Sequence, residues 1–240
     1  REVVAQLISR SHFSVYPWIE KEERFFVDRK SFERKNTMEN CSMNQIDITG
    51  CRISLYPMKD DFASHILRSI KETDTTAVWQ QTDLFSTLYR GEAASVIDAA
   101  AALFVNAYDP KTHLVGEFTF SKGCPGDLAG DAFLSGKHER PNHQQITAKG
   151  TFIVQCKYSF YVFGREDYME EIAHIVSLAD AMGLQPQSAH YVTLLSGTAA
   201  QLFAYFEQAL AYAHEKLPHY VLEGTVSVNS PSLKEASLHE

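Results

Sequence analysis

Several things that would declare a function are missing from this chain. It has no apolar run approaching the roughly eighteen residues that cross a bilayer, so membrane insertion is not expected. Cysteine is scarce: Cys41, Cys51, Cys124 and Cys156 are the whole set, and no two stand at C-x-x-C spacing. That spacing excludes a zinc ribbon and a dithiol redox motif, and reads as a cytoplasmic protein with unpaired thiols. Despite ten histidines there is no H-E-x-x-H, and no glycine-rich phosphate loop. No resident metal or cofactor is expected. Basic clusters are also lacking. Residues 1–49 hold eight acidic and eight basic side chains, so the net charge of −8 falls entirely on residues 50–240. An acidic globular part does not suit nucleic acid, whose phosphates need Lys/Arg clusters. The opening REVVAQLISR lacks the apolar stretch of a secretory signal.

Conventional catalytic groupings are thin as well. The run G-C-P-G-D at 123–127 is not the G-x-S-x-G of a nucleophile elbow. Cys124 has Ser230 as its counterpart in an internal repeat of the chain, with no evident base. Asp127 and Asp131 read as turn residues that could also reach a site. His113 and His219 each begin a strand and read as turn or surface histidines.

What the chain does have is duplication. Residues 78–126 lie over 184–232 without a gap, and thirteen of the forty-nine positions are identical, where roughly three would match by chance. Each copy should therefore carry the same fold. In the first, CRISLYPM reads as a strand. A helix capped by Asp60 or Asp61 runs from there to about Lys71, with Phe62, Ile66, Leu67 and Ile70 on one face. Residues 78–90 form one long strand or two short ones. A helix over 92–108 buries Val96, Ala100, Leu103, Phe104 and Ala107, and a strand covers 113–121. In the second copy, strands at 156–163, 187–195 and 219–228 alternate with a helix capped by Asp167 and another over 198–216. The predicted class is α+β, two tandem ferredoxin-like βαββαβ repeats, each with one sheet face on two helices and the other open.

The expected organisation is an extension over 1–49, repeat one over 50–127, an inter-repeat segment over 128–150, repeat two over 151–233 and a tail over 234–240. The extension contains EKEERFFVDRKSFERKN, and Met38 and Met43 are plausible initiators after it.

The strands carry the functional clue. In HLVGEFTFS (113–121) and HYVLEGTVS (219–227) every odd position is the same: His, Val, Glu, Thr, Ser. Side chains at that spacing share a face. The apolar even positions differ. So the open face is kept between copies while the packed face drifts. Adding the matching pairs Ser54/Ser159, Tyr56/Tyr161 and Thr87/Thr193 gives two candidate sets. Repeat one offers Ser54, Tyr56, Asp83, Thr87, Glu117, Thr119 and Ser121. Repeat two offers Ser159, Tyr161, Ser188, Thr193, Glu223, Thr225 and Ser227. Such a surface is either a solvated ladder of hydroxyls or a platform for a small polar ligand. Asp83 aligns with Ala189, so two sites would be inequivalent, with copy one the more acidic and the tighter binder of a cation.

At ISLYPMKDDF, TDTTAVW, KGCPGD and the HLVGEFTFS–HYVLEGTVS repeat, the sequence resembles the YkoF family over residues 50 to about 233. That resemblance implies two ACT-like repeats assembled as a homodimer. It also implies non-catalytic binding of thiamine or its hydroxymethylpyrimidine precursor, one site per repeat, in a protein linked to uptake or salvage of thiamine precursors through a transporter. The hydroxyls and carboxylates suit an aminopyrimidine. A thiazolium suits a glutamate or an aromatic face such as Tyr56, Tyr161 or Trp79. Two other readings remain open: an ACT-like module sensing an amino acid, and an enzyme acting on a thiamine-like compound through Cys124.

Overall fold

A computed structural model describes residues 48–122 and 139–233. The expected tail and all of the expected extension but Ile48 and Thr49, together with Cys41, Cys124, Asp127 and Asp131, lie outside the described residues. In chain order the elements are β1 (Thr49–Pro57), α1 (Phe62–Lys71), β2 (Trp79–Thr82), β3 (Thr87–Gly91), α2 (Ala93–Asn106) and β4 (Leu114–Lys122). Next come α3 (His143–Lys149), β5 (Ile153–Phe163), α4 (Tyr168–Ala181), β6 (Gln187–Ala189), β7 (Val192–Thr198), α5 (Ala199–Lys216) and β8 (His219–Val228). Leaving α3 aside, the order is βαββαβ twice, two tandem ferredoxin-like repeats as the sequence predicts.

The repeats do not fold as two separate sheets. Their last strands pair, and one antiparallel eight-stranded sheet results, in the order β2-β3-β1-β4-β8-β5-β7-β6. The seam runs from Leu114 opposite Val228 to Lys122 opposite Tyr220. At its middle Phe118 faces Gly224, and these are equivalent positions in the two copies. The seam is therefore an internal pseudo-two-fold.

One side of the sheet is packed by helices. Phe104 and Phe203 meet Phe118 edge-on, with ring centroids 5.9 and 5.4 Å apart, and Phe206 tilts against Phe120 at 5.9 Å. Edge-to-face contacts of this kind add to the burial of large apolar surface. Val96, Ala100, Leu103, Phe104 and Ala107 are all buried, as the helical spacing predicts. α5 opens with a capping box in which Thr198 and Gln201 satisfy each other's backbone N–H groups.

Three local expectations are corrected, and a segment that the sequence leaves open is filled. Residues 187–195 form two strands broken by a turn at His190–Tyr191, where Tyr191 takes φ +68°. α1 buries His65 and Ser69, while Phe62 is half exposed. The reason is polar: His65 Nε2 reaches the Ala107 carbonyl at 2.8 Å, and the Ser69 hydroxyl donates to the His65 carbonyl. Asp61 and Asp167 stand at helix starts but make no side-chain cap bond. Finally, the inter-repeat segment contains α3, docked by the buried Asn142. Its side-chain amide donates to the Asp74 carbonyl and the Asp98 carboxylate, and its oxygen accepts from the Asp74 N–H.

Glycine separates the two copies on the packed face. A Cβ at Gly116 would stand 2.8 Å from Phe104 Cδ2, whereas one at Gly224 would meet Phe206 Cζ at 3.4 Å, an ordinary contact. Gly116→Ala is expected to cost about 1–3 kcal/mol by overpacking. Gly224→Ala should be neutral or gain up to about 1 kcal/mol. Urea unfolding of both variants decides this, and equal losses would contradict it.

Candidate functional site

The face away from the helices is lined by the odd-numbered residues of β4 and β8. Glu117 and Glu223 are exposed on it, and Thr119, Ser121, Thr225 and Ser227 are partly so. β1 and β5 add Arg52, Ser54 and Tyr56, and Lys157, Ser159 and Tyr161.

The strand registers turn these residues into two lines, each crossing six of the eight strands. One reads Gln81, Leu88, Arg52, Thr119, Glu223, Ser159. The other, in the opposite direction, reads Gln187, Leu194, Lys157, Thr225, Glu117, Ser54. Position by position they are Gln, Leu, base, Thr, Glu, Ser. The pseudo-two-fold carries one onto the other. Each line crosses the seam, so the glutamate of one repeat stands beside the threonine of the other. The copy-wise grouping of the candidate residues is therefore redrawn: Glu117 neighbours Thr225, and Glu223 neighbours Thr119.

Symmetric hydrogen bonds hold the rims. The Ser54 hydroxyl donates to the Phe85 carbonyl at 2.9 Å, and its equivalent Ser159 donates to the Tyr191 carbonyl at 3.2 Å. Those hydroxyls fix the β2–β3 and β6–β7 turns, which hold Phe85 and Tyr191 out in solvent at 83% and 98% exposure. The Tyr56 hydroxyl donates to Glu117 Oε2 at 3.2 Å. His113 Nε2 lies 3.1 Å from the Ser227 hydroxyl.

A cleft of about 310 Å³ lies over the seam, between Glu117, Thr119, Lys157, Ser159, Val192, Glu223 and Thr225. That is the lower end of small-molecule pocket size. Glu117 and Glu223 are diagonal neighbours across the seam, about 7–8 Å apart at the backbone. Two carboxylates so placed favour a ligand with positive charge or amino donors.

Thr87, Thr193 and Ser188 are not on this face. Thr87 is buried opposite Ile53; Thr193 stands opposite Tyr158, and Ser188 opposite Thr193. The turns reset which residues alternate outward, so Leu88 and Leu194 take the open positions instead. Arg52, Lys157 and the two glutamines are open-face residues that the sequence pattern does not single out. One outward position back from the matched Ser54/Ser159 lie the two bases, and that spacing was the signal for them.

Asp83 sits on the β2–β3 turn rather than in the cleft. Arg52 Nη1 donates to its carboxylate and to the Ser86 hydroxyl, each at 2.7 Å. With the backbone N–H groups of Phe85 and Ser86, Arg52 holds the Asp83 carboxyl down at about 2. A carboxyl depressed on folding adds stability above the unfolded value near 4, and loses it as pH falls through about 2. The group is partly exposed, so Asp83→Asn is expected to cost no more than about 1 kcal/mol at pH 7. That difference should vanish in urea titrations as pH drops from about 4 towards 2; a pH-independent difference would contradict it.

Comparison with known proteins places this geometry. The YKOF-related family model matches residues 48–127 and 153–233, one match per repeat. A Bacillus subtilis (strain 168) protein, named as a candidate HMP/thiamine-binding protein, YkoF, is 39% identical over 187 residues. The match covers 78% of this chain and 93% of that protein.

Proposed function

The chain belongs to the YKOF-related family, and from that premise we propose that it binds thiamine or its hydroxymethylpyrimidine precursor on the open face of its sheet, without catalysis. The observation that carries this is the doubled line of Gln, Leu, base, Thr, Glu and Ser. A surface that only met water would have no reason to keep six positions in register across six strands, twice over. The glutamates supply acceptors for an exocyclic amino group or counter-charge for a thiazolium. Thr119 and Thr225 supply hydroxyls, and Tyr56 and Tyr161, each 45% exposed, supply aromatic faces. The relative's name points to the same ligand class.

Non-catalytic binding fits the chemistry of the described residues. Both described thiols are buried, and burial pushes the Cys156 thiol up to about 12 and Cys51 higher still. Neither suits nucleophilic attack. The buried His65 is engaged with the Ala107 carbonyl and Arg68. The role consistent with this chemistry is capture of the ligand in support of uptake or salvage of thiamine precursors.

Thermal-shift screening separates this from amino-acid sensing: a ligand at 100 times its Kd adds about 2.7 kcal/mol of stability. A shift with amino acids alone would overturn the reading. Losing a charge-assisted bond worth about 1.5–3 kcal/mol weakens a site tenfold or more. Glu117→Gln should weaken one site that far and Glu223→Gln the other, by titration calorimetry. Unchanged stoichiometry and affinity in both would make these glutamates plain solvated residues.

We also propose a homodimer. The open face carries Tyr56, Tyr161, Leu194 and Ile153 well exposed, and Leu84, Phe85 and Tyr191 stand out at its rims. Such apolar surface is rarely left to water. Light scattering should give twice the chain mass; the chain mass alone would refute the dimer.

A further inference from the structure

The two lines across the open face match except at their bases, and the surroundings of those bases differ in kind. Arg52 is drawn outward by two acceptors, the Asp83 carboxylate and the Ser86 hydroxyl. At the repeat's offset of 106 those positions become Ala189 and Val192. Both acceptors are lost together, and Val192 instead lines the cleft. Lys157 therefore has no acidic partner among the described residues, and its exposed side chain borders the cleft. An ammonium released in this way is a donor for a ligand rather than a strut for a turn.

Resting on the binding role proposed above, we propose that the Lys157 half of the face takes a ligand with an anionic group, a phosphate monoester of a cationic heteroaromatic. The Arg52 half takes the same heteroaromatic without the phosphate. The charge pattern argues for a ligand of both signs. Glu117 and Glu223 share the cleft with Lys157, so a bare anion is repelled. Glu117 stands two strands from Lys157 with Thr225 between them, about 10 Å away. A cationic ring over Glu117 can extend its phosphate to the ammonium, with the Thr225 hydroxyl beneath. In the other half the Arg52 guanidinium is already committed to Asp83 and Ser86.

Titration calorimetry on the full chain with thiamine, thiamine monophosphate and inorganic phosphate tests this. The monophosphate should bind one site at least tenfold more tightly than thiamine does, and inorganic phosphate alone should not bind measurably. Lys157→Gln should level monophosphate and thiamine. Ala189→Asp should do the same by restoring the outward tether. Asp83→Ala should free Arg52 and extend the preference to the second site. Equal binding of monophosphate and thiamine by the unaltered chain overturns the inference, as does a preference that survives both Lys157→Gln and Ala189→Asp. So does inorganic phosphate binding as well as the ester, which would mark a simple anion site. If thiamine binds and the ester gains nothing, only this inference fails. If neither binds, and hydroxymethylpyrimidine titrated in the same way does not bind, the binding role fails with it.

Discussion

The pairing of β4 with β8 is the constraint on which the rest depends. A lone ferredoxin-like repeat would leave its β4 edge unsatisfied, a row of N–H and C=O groups open to any other strand. Here the second repeat covers that edge with nine residue pairs. The antiparallel sense makes the join a two-fold, and the two-fold makes one continuous face from two halves. It also places α2 and α5 over the same stretch of sheet, where Phe104, Phe118 and Phe203 close the core. The site and the core are thus opposite sides of one seam.

Because the seam pairs equivalent stretches of β4 and β8 about Phe118 and Gly224, the equivalent glutamates fall close together rather than a repeat apart. In an end-to-end arrangement without this pairing Glu117 and Glu223 would be isolated surface carboxylates. Across this seam they lie diagonally in one cleft, and the negative potential of each adds to the other's. Duplication without the join would give two weak surfaces; the join concentrates their chemistry at the middle of the sheet.

Much of this was legible in the sequence, and the limits are physical. Duplication, element order and the outward residues of β4 and β8 follow from periodicity, because a long strand buried on one side fixes its own alternation. The failures fall where alternation is interrupted. Thr87, Thr193 and Ser188 flank short turns, and a turn can shift the parity of a strand without changing its composition. Asp83 was visible as an asymmetry between copies, but not as the partner of Arg52, since that contact depends on where the turn folds back. The helix α3 and the buried face of α1 were missed because polar groups, Asn142, His65 and Ser69, anchor them, and an apolar stripe is not what marks such faces. No periodicity could reveal that the two lines run through both repeats, since strand order is a property of the assembled sheet.

The contrast between the two faces argues for an external constraint on one of them. On the packed face the copies exchange volume in compensating steps. Gly116 lies where copy two has Leu222, and Phe118 where it has Gly224. Each glycine sits beneath a different phenylalanine, Phe104 in one half and Phe206 in the other. Interiors tolerate such swaps as long as total volume is kept, so a core that answers only to itself drifts. The open face has no overlying helix to enforce complementarity, and exposed positions are ordinarily the most permissive. Yet along the two lines the copies keep Glu, Thr, Ser, Leu and Gln in matching places; Arg90 becomes Ser196 outside them, and the changes at Asp83/Ala189 and Ser86/Val192 fall on the residues that decide where a base points. Permissive positions that stay alike, beside paired changes at a single base, are what two related sites for two related ligands would leave behind.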